Sequence, residues 1–117
     1  MPSLYVTIVM VFVTACTADQ MSVNTECGGG FGIQDCDHRN GAFYTDYGTY
    51  GVDASDGCRA TKVPSMTRLC VDWKNKRAHF TFSNQNKRCL LQRSSTPYGC
   101  SADKCLHSEW DEVGCTW

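Results

Sequence analysis

The sequence predicts a mainly β fold: a small antiparallel β-sandwich or barrel-like domain held together by disulfide bonds, with room for one short helix, as in an α+β domain. The first observation behind this fold class is the stretch from Met66 to Gln92. There, apolar and polar residues alternate with a period of two over three runs, as in half-buried strands. The second is the count of nine cysteines in 117 residues, which is typical of small secreted domains whose modest core needs cross-links.

The alternating stretch predicts a three-stranded meander. Its apolar sets come onto one face of the sheet if the chain turns back through a two-residue loop at Asn75-Lys76 and a second loop at Gln85-Asn86. The same register places Asp72 opposite His79 and turns Cys70 to the other face, where we expect the N-terminal half to cover it. The predicted cross-strand pairs are Trp73–Ala78, Val71–Phe80, Leu69–Phe82, Phe82–Cys89 and Phe80–Leu91.

Residues 1–18 have the features of a secretory signal peptide. They contain no charged residue, the run from Leu4 to Val13 is almost wholly apolar, and small residues precede the polar pair Asp19-Gln20. The apolar run is too short to span a bilayer, which takes about 20 residues. We therefore expect cleavage after Ala18, a secreted product and no membrane anchor. The alternative is a lipoprotein signal with a lipidated Cys16, but the basic start that such signals carry is missing.

Cleavage after Ala18 removes Cys16 and leaves an even number of cysteines in a single disulfide-rich domain, residues 19–117. We expect all of them to pair, although roughly a hundred pairings are possible and the sequence does not choose among them. Each bridge typically adds about 2–4 kcal/mol to stability, so reduction is expected to unfold the protein. The eight cysteines are Cys27, Cys36, Cys58, Cys70, Cys89, Cys100, Cys105 and Cys115.

The segments before the meander are predicted from local composition. Residues 19–26 are polar and predict a loose leader. Asn40-Gly41 is a turn signal, and the aromatic, glycine-punctuated residues 42–52 after it predict a short hairpin or edge strands. Residues 53–57 predict a loop, and residues 60–63 predict another short strand.

The segments after the meander are predicted in the same way. Residues 94–99 predict a loop, and Ser101 is placed to cap a short helical turn. Val113, Cys115 and Trp117 alternate and predict a final strand pinned by Cys115. We expect the terminal tryptophan to be buried, because an indole ring is expensive to leave in water.

No motif for an enzyme or a cofactor stands out. The glycines of residues 28–32 lack the spacing of a nucleotide-binding loop, the carboxylates of residues 53–57 lack the calcium-loop pattern, and the cysteines lack CxxC zinc spacing. His79, Glu112 and Arg77 offer the residue types of a ribonuclease, but any small domain with three histidines offers a similar set. We therefore expect no catalytic residue, no cofactor and no metal, in a protein that is not an enzyme.

Charge and aromatic content bear on the kind of partner. The formal net charge is −1, and basic residues form no block, so binding to nucleic acid or to a membrane surface through charge is not indicated. Aromatic side chains are enriched at interfaces. The candidate interaction surface is the aromatic stretch Phe43, Tyr44, Tyr47 and Tyr50, for which ordinary strand packing is the alternative.

The chain resembles the small secreted cysteine-rich proteins of filamentous fungi. The resemblance lies in the signal at 1–18, the eight cysteines spread over 27–115 and the β-rich region between them. The segments CVDWKNKRAHFTFSNQNKRC (Cys70 to Cys89) and SEWDEVGCTW (Ser108 to Trp117) are similar to sequences of that class. In pathogens this class supplies candidate effectors. The resemblance therefore implies binding to a host protein or cell-wall glycan without catalysis, outside host cells or after translocation into them, and assigns a role to no individual residue.

Other function classes remain open. A secreted toxin or antimicrobial protein acting on competing cells is the main alternative. The near-zero charge argues against a cationic lytic mechanism, so such a toxin would block a channel or a receptor. A small secreted ribonuclease or an inhibitor is the third possibility. In every case we expect a monomer outside the producing cell.

Overall fold

The computed structural model describes residues 18–29 and 35–117, and every regular element in this part of the chain is a β-strand. The predicted signal peptide falls outside the described residues, apart from Ala18. The strands are β1 (Gln20–Gly28), β2 (Asp35–Thr45), β3 (Gly48–Val52), β4 (Gly57–Arg59), β5 (Met66–Asp72), β6 (Arg77–Phe82), β7 (Arg88–Pro97) and β8 (Lys104–Val113). Over these ranges no helix is long and apolar enough to cross a membrane.

All eight strands belong to one antiparallel sheet in the order β3-β2-β1-β8-β7-β6-β5-β4. The sheet curls into a half-barrel. Phe43 in β2 and Phe80 in β6 are separated by three strands in this order, yet their rings meet edge to face with centroids 5.0 Å apart. The predicted disulfide-linked, antiparallel, barrel-like fold is therefore confirmed.

The concave face of the sheet carries the apolar core. Trp110 lies at its centre and donates from Nε1 to the hydroxyl of Ser108 at 2.9 Å, so its only polar atom is satisfied. The indole of Trp73 packs edge-on against Trp110, with centroids 5.0 Å apart, and stacks on the imidazole of His38 at 3.7 Å. The largest fully buried side chains are Trp110, Phe43, Phe80, Met21, Leu69, Leu90 and Val23.

The predicted meander exists as β5–β6–β7, but both predicted registers are wrong. Between β5 and β6, Val71 lies opposite Ala78 and Leu69 opposite Phe80, a shift of two residues. The cause is a longer turn at residues 73–76, which Asp72 stabilises by accepting a hydrogen bond from the side chain of Asn75 at 2.7 Å. Asp72 consequently lies opposite Arg77, and Cys70 lies opposite His79.

The second register error changes which leucine is buried. The connection between β6 and β7 spans residues 83–87, and it pairs Ala78 with Leu90 and His79 with Cys89. Leu90 therefore faces the core, whereas Leu91 points outward with 41 % of its surface exposed. An odd shift in register exchanges the two faces of a strand.

The N-terminal segment is not the predicted loose leader. It forms β1, which lies between β2 and β8 near the middle of the sheet. Met21, Val23, Thr25 and Cys27 are buried while the residues between them are not, the alternation of a half-buried strand. The polar side chains of Ser22, Asn24 and Glu26 occupy the outer face, and this is why the segment is polar in composition.

The Asn40-Gly41 turn prediction is also wrong, because both residues lie inside β2. Gly41 is needed there for close approach: a Cβ atom would lie 3.0 Å from the carbonyl oxygen of Val52 in β3. The chain turns instead at Asp46-Tyr47, where Thr45 pairs with Gly48. The predicted hairpin or edge strands over residues 42–52 are confirmed, with β3 at one edge of the sheet.

Four smaller predictions are corrected. Residues 60–63 form no strand, and the edge strand is β4 instead. Residues 94–97 continue β7 rather than forming a loop. Ser101 caps no helical turn, because residues 100–105 are closed into the β7–β8 connection by a disulfide and by the amide of Tyr98 donating to the carbonyl of Cys105 at 3.0 Å. The last strand ends at Val113, and Trp117, beyond it, is half-buried.

All eight cysteines pair. The bridges are Cys27–Cys36, Cys58–Cys70, Cys89–Cys115 and Cys100–Cys105. The first two join residues directly opposite each other on neighbouring strands. The outer face beside Cys70 is bordered by the C-terminal Trp117, over which the guanidinium of Arg77 lies 5.1 Å from the ring centroid. Among the described residues, Trp117 is the one from outside β4, β5 and β6 that lines the pocket beside Cys70, whereas the prediction had placed the N-terminal half there.

Candidate functional site

A cleft opens at the end of the half-barrel where β1 begins and β2 ends. We call it the tyrosine cleft. Its volume is about 530 Å³, within the range of roughly 300–1,000 Å³ of small-ligand sites. The β2–β3 turn forms one side and the loops at residues 63–65 and 82–85 form the other. The lining side chains include Tyr47, Tyr50, Phe82, Asp19, Asp46 and Arg88.

The aromatic part of the cleft is presented by a fixed turn. The hydroxyl of Thr45 accepts a hydrogen bond from the amide of Tyr47 at 3.1 Å and donates to the carbonyl of Gly48 at 3.2 Å. Gly48 has a φ of +152°, which side chains rarely adopt, so glycine is required there. The turn therefore holds Tyr47 in solvent with 92 % of its surface exposed, while Tyr50 and Phe82 pack against the core.

The charged part of the cleft is centred on Arg88. Its guanidinium donates two hydrogen bonds to the carboxylate of Glu112, at 2.7 and 2.8 Å, the strong bidentate geometry of arginine with a carboxylate. The same guanidinium lies 3.5 Å from the carboxylate of Asp19 and 5.1 Å from the ring centroid of Phe80. Arg88 is therefore held on several sides and presents an ordered positive charge.

The two carboxyl groups beside Arg88 have opposite pKa shifts. Burial raises the pKa of Asp19, which is only 5 % exposed, and the charge of Arg88 at 3.5 Å offsets this only in part. Burial also acts on Glu112, but the hydrogen bonds from Arg88 and from the amide of Asp19 outweigh it, so the pKa of Glu112 is lowered. The difference arises because Glu112 takes the short contacts with the guanidinium.

The predicted aromatic surface does not form as one patch. Phe43 is fully buried in the core, so its proposed part in a surface is wrong and the strand-packing alternative holds for it. Tyr44 is the next residue of β2 and therefore points to the opposite face, where its hydroxyl contacts that of Ser22 at 2.9 Å. Of the four predicted residues, the structure brings Tyr47 and Tyr50 together in the tyrosine cleft.

Sequence reasoning missed Asp19, Phe82 and Arg88 as cleft residues and Glu112 as the partner of Arg88. Asp19 was assigned to a loose leader, and the pair Arg88–Glu112 is 24 residues apart in the chain. A long-range ion pair of this kind leaves no local pattern. The alternation of Met21, Val23, Thr25 and Cys27 was the one available signal, because it would have placed Asp19 at the start of a strand.

The ribonuclease-like set is not assembled. His79 lies opposite Cys89, and Glu112 lies opposite Leu90, so the two side chains point to opposite faces of the sheet. Arg77 is engaged with Asp72 at 3.4 Å. Burial and nearby cationic side chains, Arg77 among them, lower the pKa of His79, but the carboxylate of Glu112 is on the other face of the sheet.

The ligand atoms of Cys58, Cys70 and His79 lie within 4.8 Å of one another on the outer face. Cysteine binds metal as the thiolate, and these two sulfurs are joined in a disulfide. The donor set therefore does not suit a metal ion while the bridge is intact.

Comparison with known proteins adds no relative. No protein-family model matches the chain, and neither a curated protein nor a solved structure shows significant similarity to it.

Proposed function

We propose that this chain is a secreted binding protein that recognises a host protein or cell-wall glycan without catalysis, through the tyrosine cleft. The observation that carries the proposal is the combination in one cleft of an exposed tyrosine on a fixed turn with an ordered arginine–carboxylate cluster. Aromatic rings offer flat apolar surface, and fixed charged groups offer hydrogen bonds of defined direction. Sugars and peptide segments both present this mixture of apolar and polar groups.

Rigidity of the scaffold supports binding as the function. A site that is already ordered loses little conformational entropy when its ligand arrives. The cleft is formed by loops of a cross-linked sheet, and the side chain of Arg88 is fixed by Glu112 and Gln85. Four disulfides in a domain of this size are typical of extracellular proteins, the compartment in which such a target would be met.

The test is a binding assay with the oxidised chain 19–117 and the variant Tyr47→Ala. Defined fragments of chitin, β-glucan, xylan and pectin, and purified extracellular host proteins, are titrated in turn. We expect one ligand class to bind and the variant to weaken its affinity by on the order of tenfold or more, because truncating a central interface aromatic is typically worth about 2 kcal/mol.

The matched control is Tyr98→Ala. Tyr98 is also exposed, but it follows the far end of β7, roughly 30 Å along the strand from Arg88. Equal loss of affinity in both variants, or no loss in Tyr47→Ala, would contradict the cleft as the binding site. Turnover of any bound glycan would contradict the non-catalytic role. Growth inhibition of competing microbes that disappears in Tyr47→Ala would favour the toxin alternative.

A further inference from the structure

The start of β1 is tied into the tyrosine cleft by a backbone amide. The nitrogen of Asp19 donates to Oε1 of Glu112 at 2.9 Å, and the carbonyl of Asp19 accepts from the nitrogen of Glu112 at 3.2 Å. Ala18, one residue earlier, is exposed. The exposed residue Ala18 and the buried residue Asp19 are therefore joined by the same peptide bond at which the sequence predicts signal cleavage.

The surroundings of this amide hold more negative than positive charge. The carboxylates of Asp19, Glu112 and Asp46 all act on the cluster, and among the described residues Arg88 is the cation in contact with Asp19 and Glu112. Oε1 of Glu112 already accepts from both Arg88 and the Asp19 amide. A second positive charge at the position of the amide nitrogen would balance the cluster, and burial would make that charge more effective than in water.

We propose that hydrolysis of the Ala18–Asp19 bond turns this amide into an α-ammonium group that forms an ion pair with Glu112 and completes the charged wall of the tyrosine cleft. A peptidase catalyses the hydrolysis, and water is the co-reactant. The carbonyl carbon of Ala18 gains the hydroxyl and leaves as a carboxylate, and the Asp19 nitrogen takes the protons. This inference rests on secretion, one part of the proposed function, and not on the ligand.

The product needs no rearrangement. The nitrogen is already at hydrogen-bond distance from Glu112, and the change adds charge and two further donors at the same point. Hydrogen bonds between charged groups are roughly twice as strong as those between neutral ones. Processing would thus make the first strand hold more tightly to β8 and would lower the negative charge of the cleft by one.

The ion pair has a pH signature. An α-ammonium has an ordinary pKa of about 7.7–8.0. Burial and the charge of Arg88 lower that value in the folded state, whereas the carboxylates of Asp19 and Glu112 raise it, and we expect the contact with Glu112 at 2.9 Å to outweigh the opposing effects. A group whose pKa is higher in the folded than in the unfolded state contributes stability that is complete below the unfolded value. That contribution is lost as the pH rises through the folded value. The extra stability should therefore be present at pH 6 and absent at pH 10.

The experiment compares three oxidised chains: one that begins at Asp19, one that begins at Ala18, and one that begins at Asp19 with an acetylated nitrogen. The folding equilibrium is measured by denaturant titration at pH 6 and pH 10. We expect the free Asp19 chain to have the larger folding constant at pH 6, by about tenfold for each unit by which the ammonium pKa is raised. We expect the three chains to converge at pH 10.

Equal stability of the three chains at pH 6 would overturn the inference, as would a difference that persists at pH 10. The variant Glu112→Gln keeps a hydrogen-bond acceptor without the charge and should remove the difference between the chains. If that variant does not fold, the pKa of the Asp19 ammonium, measured by NMR in the unsubstituted protein, replaces it; a value at or below 8 contradicts the ion pair. A secreted product whose mass shows a different first residue also contradicts it. None of these results depends on ligand binding, so they are separate from the test with Tyr47.

Discussion

The two ends of the sheet are stabilised by different interactions: buried apolar side chains at one end, which we call the core region, and disulfide bonds at the other, which we call the distal end. The core region contains the whole apolar cluster of buried residues, with Phe80 and Trp110 at its centre. At the distal end, which comprises residues 26–28, 35–37 and 97–106, only β1, β2, β7 and β8 continue. Its buried side chains among the described residues are Cys27 and Cys105, one from each of two disulfides.

The difference shows how a small chain divides its cross-links. In the core region, burial of apolar side chains is the main source of stability, and the two bridges there add to it. At the distal end there is no apolar cluster, so the strands depend on their backbone hydrogen bonds and on the covalent bridges. A four-stranded ribbon without a buried face is marginal in water, which explains why half of the disulfides are placed at this end.

The largest expected effect is in the core region. Leu90→Ala should lower the free energy of unfolding by about 2–5 kcal/mol, the usual cost of truncating a buried leucine. Leu91→Ala, the adjacent and partly exposed leucine, should cost less than about 1 kcal/mol. Chemical denaturation of both variants measures the difference. The reverse order would mean that the register predicted from the sequence, with Leu91 in the core, is the correct one.

The next effect compares the bridges. Replacing Cys89 and Cys115 by serine opens a loop of 26 residues and should lower the free energy of unfolding by about 3.5 kcal/mol. The same replacement of Cys27 and Cys36 opens a loop of 9 residues and should lower it by about 2.6 kcal/mol. The bridge at the distal end should also affect local unfolding.

Without Cys27–Cys36, amide hydrogen exchange should accelerate at the distal end while amides around Phe80 stay protected. Equal acceleration throughout the sheet would mean that the distal end is not a separate unit.

A smaller effect is expected at the tyrosine cleft. Arg88→Met leaves the carboxylates of Glu112 and Asp19 without their guanidinium. It should cost about 1–3 kcal/mol, the value for hydrogen bonds to charged groups at a partly exposed site. The matched control is Arg93→Met. Arg93 also contacts two carboxylates, those of Glu109 and Asp111, but on the outer face in water.

We expect no measurable change for Arg93→Met, because solvent screens exposed pairs. Thermal denaturation at low and high salt separates the two variants: the effect of Arg88 should survive added salt. If both substitutions are equally harmless, the cluster in the cleft is no more ordered than a surface ion pair. Its role in binding would then lose its physical basis.

The prediction of the meander illustrates what alternation along a chain can and cannot specify. A register shift of two residues leaves every side chain on its original face, so the pattern cannot distinguish the pair Val71–Ala78 from the predicted Val71–Phe80. At Leu90 and Leu91, two adjacent leucines leave the choice of face open. The number of residues in each turn decides both cases, and that number depends on contacts such as Asp72 with Asn75.

The candidate site was predictable only in part. The enrichment of aromatic side chains at interfaces points to Tyr47 and Tyr50, but it points equally to Phe43 and Tyr44, although neither of these lines the cleft. The charged half of the cleft brings together Asp19 before β1, Arg88 at the start of β7 and Glu112 near the end of β8. Such a combination depends on the position of β1 between β2 and β8, which local composition does not indicate.

The sequence by itself determined the strand-forming pattern and the disulfide-rich class of the domain, because period-two alternation and cysteine content are properties of the chain alone. Tertiary structure decided the pairing of the cysteines, the register of the strands, and the meeting of Asp19, Arg88 and Glu112 beside Tyr47. These depend on distances between residues far apart in sequence, which are fixed only when the sheet curls and the core closes around Trp110.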